Sequence, residues 1–424
     1  MNNINSLRIC VSKIVQKQRF VKDIFNSIYE SSGRVLLVGG AVRDVLQNIE
    51  VKDLDFEVYG ISLDTLQSIL ETYGTVSLVG KSFGVLRLAG LDVDWSLPRK
   101  DSNGRHPVVT YDPFMTYDQA FARRDVTINA MGIDMQTYEL IDPFGGLDDL
   151  HRKILRSPAI DFFVQDPLRL LRVMQFAGRF QMQVDAALSQ VCRTIDVTIL
   201  SEHRVEQEFF KLFLRAKKPS IGLRWLVEID TWSYFFPQIK ATDDLFNRVD
   251  RLAQQSYQDD HQKCMVLLAA MYADLIDKDL VFGQKIVVSE SQNYHAILSR
   301  VVASVFLRSS IIKIIWYLNM VQPHHLTIAQ AKWLAYWIAP DMTMQSLLIL
   351  LQVMQAQDHF VCINTIVTQA GVLEGPEEPL LRGKDFLDVA TGIQLGKLVE
   401  RAYQLQLEEG ITDAQALRRK VINF

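Results

Sequence analysis

The sequence predicts an α+β protein in which a head of short strands and helices precedes an all-helical remainder. Two textures meeting near residue 155 carry that expectation. Before it, β-branched runs at 35–38, 54–58, 76–79 and 85–88 alternate with turn signals at Gly39-Gly40, Gly60, Gly74 and Gly90. Beyond residue 160, apolar residues recur at helical spacing, as in Leu168, Leu171, Val173, Met174 and Phe176, and later Phe209, Phe210, Leu212 and Phe213. Breaks are expected at Ser157-Pro158, at Lys217-Lys218-Pro219 and in the loop 374–379.

Bulk properties narrow the function classes. A chain of 424 residues, 49% hydrophobic and 22% charged, is neither disordered nor collagen-like and has material for two to four domains at roughly 100–200 residues each. Apolar stretches around 311–318 and 347–354 stop well short of the roughly 18 residues a membrane span needs, so they read as buried helices. Cys10, Cys192, Cys264 and Cys362 stand alone, without zinc or redox spacing, which fits a reducing, cytoplasmic setting. Arg8, Lys13, Lys17 and Arg19 precede the first acid, Asp23, in the manner of a transit peptide; no secretory apolar region follows, and organellar targeting is the minor alternative. A net charge of −4 argues against a DNA-coating protein but leaves room for a nucleic-acid partner held by a local basic surface.

The chemistry begins at the first strand. Leu36-Leu37-Val38 runs into Gly39-Gly40, and 41–46 should open a helix. Paired glycines, Gly40 included, let a triphosphate approach the backbone; the helix N-terminus attracts anions and Arg43 is placed to reach a phosphate oxygen. Asp53 and Asp55 bracket one apolar residue at the start of the next strand and so share a face. Carboxylates that close repel one another, and a divalent cation such as Mg²⁺, which favours hard oxygen ligands, is the usual reason to keep them; Asp53 and Asp55 are therefore the candidate metal ligands. A later strand through Leu91-Asp92-Val93-Asp94-Trp95 offers a third catalytic carboxylate, Asp94 in preference to Asp92, which shares its face. The set suits two-metal phosphoryl transfer, with nucleotidyl transfer as the natural reaction.

Gly39-Gly40-Ala41-Val42-Arg43-Asp44 followed by Lys52-Asp53-Leu54-Asp55 closely resembles the first motif of class II tRNA nucleotidyltransferases and bacterial poly(A) polymerases. The resemblance implies a polymerase-beta-like nucleotidyltransferase head with a mixed sheet, followed by helical neck, body and tail, here 1–155, 156–225 and 226–424. Arg123-Arg124-Asp125-Val126-Thr127-Ile128-Asn129 resembles the second motif, implying nucleotide binding by Arg124, Asp125 and Asn129. Ile141-Asp142-Pro143-Phe144-Gly145-Gly146 resembles the third, which joins head to neck. Ala120 departs from the family, in which many members carry an acid before the paired arginines; either Asp118 substitutes or that contact is absent.

Residues 165–172, Gln-Asp-Pro-Leu-Arg-Leu-Leu-Arg, should start a helix with Asp166 as N-cap and Pro167 in the first helical position. The fourth family motif reads Glu-Asp-x-x-Arg here, with Gln165 in place of the glutamate. It implies that Asp166 and Arg169, with Arg172 beside them, bind the incoming base. An ionised Asp only accepts hydrogen bonds and so prefers the amino group of cytosine or adenine; Arg only donates and suits ring acceptors. Uracil or guanine would leave the carboxylate without a donor, which penalises them. Residues 201–208 with Lys211 resemble the fifth motif, credited with organising the neck. The segment 95–122, rich in mixed charge, Gly and Pro around 99–107, reads as a mobile loop.

In the second half, 264–275 resembles a His-Asp metal helix in which Ala273 replaces the histidine, so metal phosphohydrolase chemistry is not expected. His261, His295 and His324-His325 read as surface or capping residues, and residues 379–410 resemble the helical tail of CCA-adding enzymes, with Arg382, Lys384 and Lys397 as candidate tRNA phosphate contacts. The reading is therefore a CCA-adding enzyme using tRNA, CTP, ATP and Mg²⁺. Its alternatives are a poly(A) polymerase, a partial CC- or A-adding enzyme, and an inactive RNA-binding relative.

Overall fold

The computed structural model describes residues 11–12, 15, 18–51, 53–79, 84–101, 109–275, 294–320, 326–339, 341–354 and 357–422. The chain folds as two compact units, 1–200 and 201–424, a division that falls within the segment read as a neck.

The first unit is built on a mixed sheet. Its elements are α1 (Val21–Glu30), β1 (Arg34–Val38), α2 (Gly40–Leu46), β2 (Leu54–Tyr59), α3 (Leu63–Glu71), β3 (Val76–Val79), β4 (Val85–Leu88) and β5 (Val93–Ser96). There follow β6 (Arg99–Asp101), β7 (Val109–Tyr111), α4 (Tyr117–Ala122), β8 (Gly132–Asp134), β9 (Leu140–Ile141), α5 (Gly146–Arg152), β10 (Ile154–Leu155), α6 (Ile160–Phe163), α7 (Leu168–Phe180), β11 (Gln183–Val184) and α8 (Ala186–Cys192). Among the described residues the main sheet has the order β3-β4-β5-β2-β1-β8-β9. Only β2 and β5 run parallel within it; the other neighbours are antiparallel, which makes the expected sheet mixed.

Strand alternation decides what each face carries. Val35, Leu37, Leu54, Phe56, Val58 and Trp95 are buried in one core with Ile24, Phe25 and Ile28 of α1. Phe56 meets Phe25 edge-on at 5.0 Å and lies 5.1 Å from Trp95. Leu36, Val38 and Tyr59 face the other way, into a smaller cluster with Met115, Ala120 and Phe121. Asp55 and Glu57 belong to that second face. With three hydrophobic β2 residues locked inward, a register slip would drive carboxylates into the main core.

The described residues of the segment 95–122 carry regular structure on either side of the expected loop. They form the β6–β7 pair, with Lys100 opposite Thr110, and α4, which Thr116 and Gln119 close with a reciprocal capping box. The stretch 102–108, including Arg105 and His106, lies outside the described residues. Ala120 is buried beneath α4, where an acid would have to be desolvated, while Asp118 on the same helix is exposed.

The second unit is helical throughout its described residues: α9 (Glu202–Arg215), α10 (Pro219–Glu228), α11 (Trp232–Phe235), α12 (Asp243–Ala253), α13 (Asp260–Tyr272), α14 (Val305–Met320), α15 (Ile328–Ile338), α16 (Met344–Met354), α17 (Gln357–Ala370), α18 (Gly392–Glu409) and α19 (Ala414–Ile422). Pro219 opens α10 after the expected break at Lys217-Lys218. Helix α13 is buried nearly all round, which explains its apolar sequence. No described helix is long and apolar enough to cross a membrane. Asp274, beside the histidine-replacing Ala273, accepts a hydrogen bond at 2.7 Å from the buried Arg248 of α12. Arg382 pairs with Glu378, whereas Lys384 and Lys397 are exposed; His324 and His325 lie outside the described residues.

Candidate active site

Where β1 ends, Gly39 has φ 72° and ψ −137°, a conformation essentially restricted to glycine. A Cβ there would lie 3.0 Å from Arg124 Nη1 and 4.0 Å from Asp55 Oδ2, so the turn, the arginine of the second motif and the strand carboxylate sit together. Gly40 begins α2.

The parallel pairing of β2 and β5 puts Asp55 directly opposite Asp94. Asp92 precedes β5 and is exposed, so register favours Asp94 as the neighbour of Asp55. Burial pushes the Asp55 carboxyl above its usual range; Asp94 and Asp53 add to the rise, and Arg124 and Arg87 oppose it. Asp53 is exposed just before the strand, and Lys52 lies outside the described residues. Among the described residues, no three acidic, His or Cys side chains converge as a ready-made metal cage. The Asp94 carboxylate is instead turned to Arg87, whose Nε and Nη2 both donate to it.

Arg43 is turned inward rather than to solvent. It is 4% exposed. Its Nε and Nη2 donate to Asp44 Oδ1 at 2.9 and 2.7 Å, its Nη1 donates to Asn129 Oδ1 at 2.5 Å, and its guanidinium packs 4.4 Å from the Phe180 ring centre. Asn129 passes the connection on, donating to Asp125 Oδ1 at 3.2 Å, while Arg172 Nε of α7 donates to Asp125 Oδ2 at 2.6 Å. Thus Arg43, Asn129, Asp125 and Arg172 form one hydrogen-bonded chain from α2 to α7. Burial would raise the Asp125 pKa, yet Arg172, Asn129 and the Val126 amide together hold it below the usual carboxylate range.

Helix α7 begins one residue later than expected. Pro167 flanks it, and Asp166 takes part through Oδ1, which accepts from the Leu168 amide at 3.2 Å, and through its carbonyl, which accepts from the Arg169 amide at 3.0 Å. The first turn is thus tightened to 3₁₀-type bonding. Arg169 donates to the carbonyls of Arg123, at 2.7 Å, and Phe162, tying α7 to the paired-arginine segment. Gln165 is exposed. The third motif is structural here: Asp142 accepts from the Gly146 and Leu147 amides at 2.7 and 2.9 Å, and buried Asp149 of α5 accepts from Thr127 at 2.6 Å.

Three residues at this site escaped the sequence reading: Glu57, Arg87 and Phe180. Only Glu57 had a local signal, since it extends the Asp53-x-Asp55 alternation by one step.

Comparison with known proteins bears on this geometry. Residues 35–156 match the poly A polymerase head domain family. The chain is similar to bacterial CCA proteins. It is 32% identical over 256 residues to the multifunctional CCA protein of Haemophilus ducreyi, covering 58% of this chain and 59% of that protein. It is 35% identical over 229 residues to the Haemophilus influenzae protein of the same name, covering 51% and 53%. The chain therefore spans between half and three-fifths of these relatives. Its fold is shared with the Bacillus stearothermophilus CCA-adding enzyme in complex with CTP (TM-score 0.66, 17% identity, 94% of this chain and 96% of that one). It is likewise shared with the Thermotoga maritima CCA-adding enzyme complexed with tRNA (TM-score 0.60, 18% identity, 94% and 93%). The expected resemblance and fold class are borne out.

Proposed function

We propose that this chain is a template-independent tRNA nucleotidyltransferase that adds C, C and A to the tRNA 3′ end from CTP and ATP. The observation that carries the proposal is the meeting of Asp55 with Arg124 at one glycine turn, with Asp94 in register beside Asp55, in a head that matches the poly A polymerase family. Relatives named CCA proteins, and similar folds described with CTP and tRNA, support the choice of substrates.

Asp53 and Asp55, with Asp94 beside them, fit a hard divalent cation, because Mg²⁺ needs only one or two protein carboxylates and takes further oxygens from water and substrate phosphate. Bound there, Mg²⁺ would supply the charge that activates the attacking 3′-hydroxyl and stabilises the departing pyrophosphate. The chain's own groups do the rest. Gly39 and Gly40 admit the triphosphate, Arg124 faces it, and Arg43, Asn129, Asp125 and Arg172 brace the pocket between α2 and α7. Asp166 and Arg169 read the base edge; the carbonyl anchors on Arg169 fix its position in advance, so selectivity comes from donor and acceptor matching.

In this reading residues 1–155 are the catalytic head, 156–225 the neck that recognises the base, and 226–424 the body and tail that bind tRNA, all acting in the cytoplasm. Purified protein given labelled CTP or ATP, Mg²⁺ and a tRNA transcript lacking CCA should incorporate both nucleotides. Asp55→Asn should abolish incorporation while the protein stays folded. Incorporation at the wild-type rate by that variant would refute the assignment of the carboxylates.

A further inference from the structure

We propose that Glu57 is a positioning residue for the nucleotide site: its carboxylate holds Arg124 beside the Gly39 turn and keeps that guanidinium from closing onto Asp55. The inference rests on the nucleotidyltransferase reading above. Glu57 lies two residues beyond Asp55 on the same strand face and is 3% exposed, in a setting where an unpaired charge would be prohibitive. Both of its oxygens are engaged. Oε1 accepts from the Tyr59 hydroxyl at 2.5 Å and Oε2 from Arg124 Nη2 at 3.3 Å. Burial, reinforced by Glu57 itself, raises the Tyr59 pKa above the usual phenol range, so Tyr59 remains a donor at neutral pH.

The other terminal nitrogen of Arg124 faces the turn, 3.0 Å from where a Gly39 Cβ would stand, and Asp55 Oδ2 lies 4.0 Å from the same point. One guanidinium is therefore hydrogen-bonded to Glu57 and also acts electrostatically on Asp55. Only one of them, Glu57, is braced by a second donor and set deep in the sheet. If Glu57 lost its charge, Asp55 would become the stronger acceptor, and Arg124 would be spent on a group needed for catalysis rather than on the incoming phosphates.

Glu57→Gln keeps the shape and one acceptor oxygen, and Tyr59→Phe leaves the charge but removes the brace. In the full chain, Glu57→Gln should raise KM for both CTP and ATP by about tenfold and raise the half-saturating Mg²⁺ concentration, with kcat and the KM for tRNA held within about twofold. Tyr59→Phe should shift the same parameters in the same direction by a smaller factor. A folded Glu57→Gln protein with unchanged nucleotide KM would overturn the proposal, as would equal changes in the KM values for nucleotide and tRNA. Crystal structures of the wild-type and Glu57→Gln proteins test it independently of turnover: Arg124 should pair with Asp55 in the variant, and an Arg124 still seated on Gln at 57 would refute it. Should the wild-type chain incorporate no nucleotide, the functional reading fails, while the crystallographic comparison still decides the role of Glu57.

Discussion

Asp125 is a carboxylate that burial alone would favour in its neutral form, yet its neighbours keep it charged. At 7% exposure it depends on Arg172, Asn129 and the Val126 amide, and the sign of the resulting pH dependence follows. A depressed folded-state pKa contributes stability that is present above the unfolded value of about 3.9 and is lost as pH falls through the folded value. Arg172→Met removes the main group lowering it, so the variant should melt below wild type at pH 7, with the gap closing below about pH 4. Thermal melts from pH 3 to 7 would check this; a constant gap would show that Arg172 acts through packing alone. Arg43→Met strands the buried acceptor Asn129 and the half-buried Asp44 and should cost about 1–3 kcal/mol in chemical denaturation. The residues of this site differ in how far the sequence disclosed them. Asp53 and Asp55 stand out in the sequence by two-residue alternation and Asp94 as the preferred third carboxylate, and the β2–β5 register sets Asp94 opposite Asp55. The burial of Arg43 was not legible, because the residues that pack on it, Asn129 and Phe180, come from 86 and 137 positions away. No local pattern encodes a partner at that distance.

At the scale of elements, the turn between β1 and α2 and the start of α5 are positions near the site that a side chain would disturb. Gly39→Ala forces a positive φ on alanine and presses its methyl towards Arg124, so it should destabilise by about 1–3 kcal/mol and also impair nucleotide binding. Gly146→Ala would set a Cβ 2.3 Å from the Thr127 carbonyl oxygen, a backbone atom that cannot swing aside. It should cost a similar amount, about 1–3 kcal/mol, and displace the turn carrying Asp125 and Asn129. Urea titration of both variants reads the first effect, and CTP binding reads the second. Strand positions in the head were legible because apolar alternation and glycine turns agree there. In the segment 95–122 charge, Gly and Pro around 99–107 hid the flanking elements, which come from pairing of β6 with β7 and from a capping box that four residues suffice to write. The one-residue shift of α7 has a related cause: Pro167 leaves the first turn to 3₁₀ bonds from Asp166 and Pro167 carbonyls.

For the whole molecule, the chain's two units carry different kinds of information. The first holds the turn, the carboxylates, the paired-arginine segment and helix α7 within residues 1–200, so its side chains can be placed against one another. The second, 201–424, is a set of helices whose sequence announces burial much more clearly than it announces a partner. Helix α13 illustrates this: its apolar sequence is accounted for by packing, and Asp274 beside it is matched by Arg248. The most direct measurement is to supply the purified protein with a tRNA transcript lacking CCA, CTP, ATP and Mg²⁺, and to sequence the 3′ ends of the products. Ends that stop at CCA are the predicted result. Long adenosine tracts, or no extension at all, would contradict it.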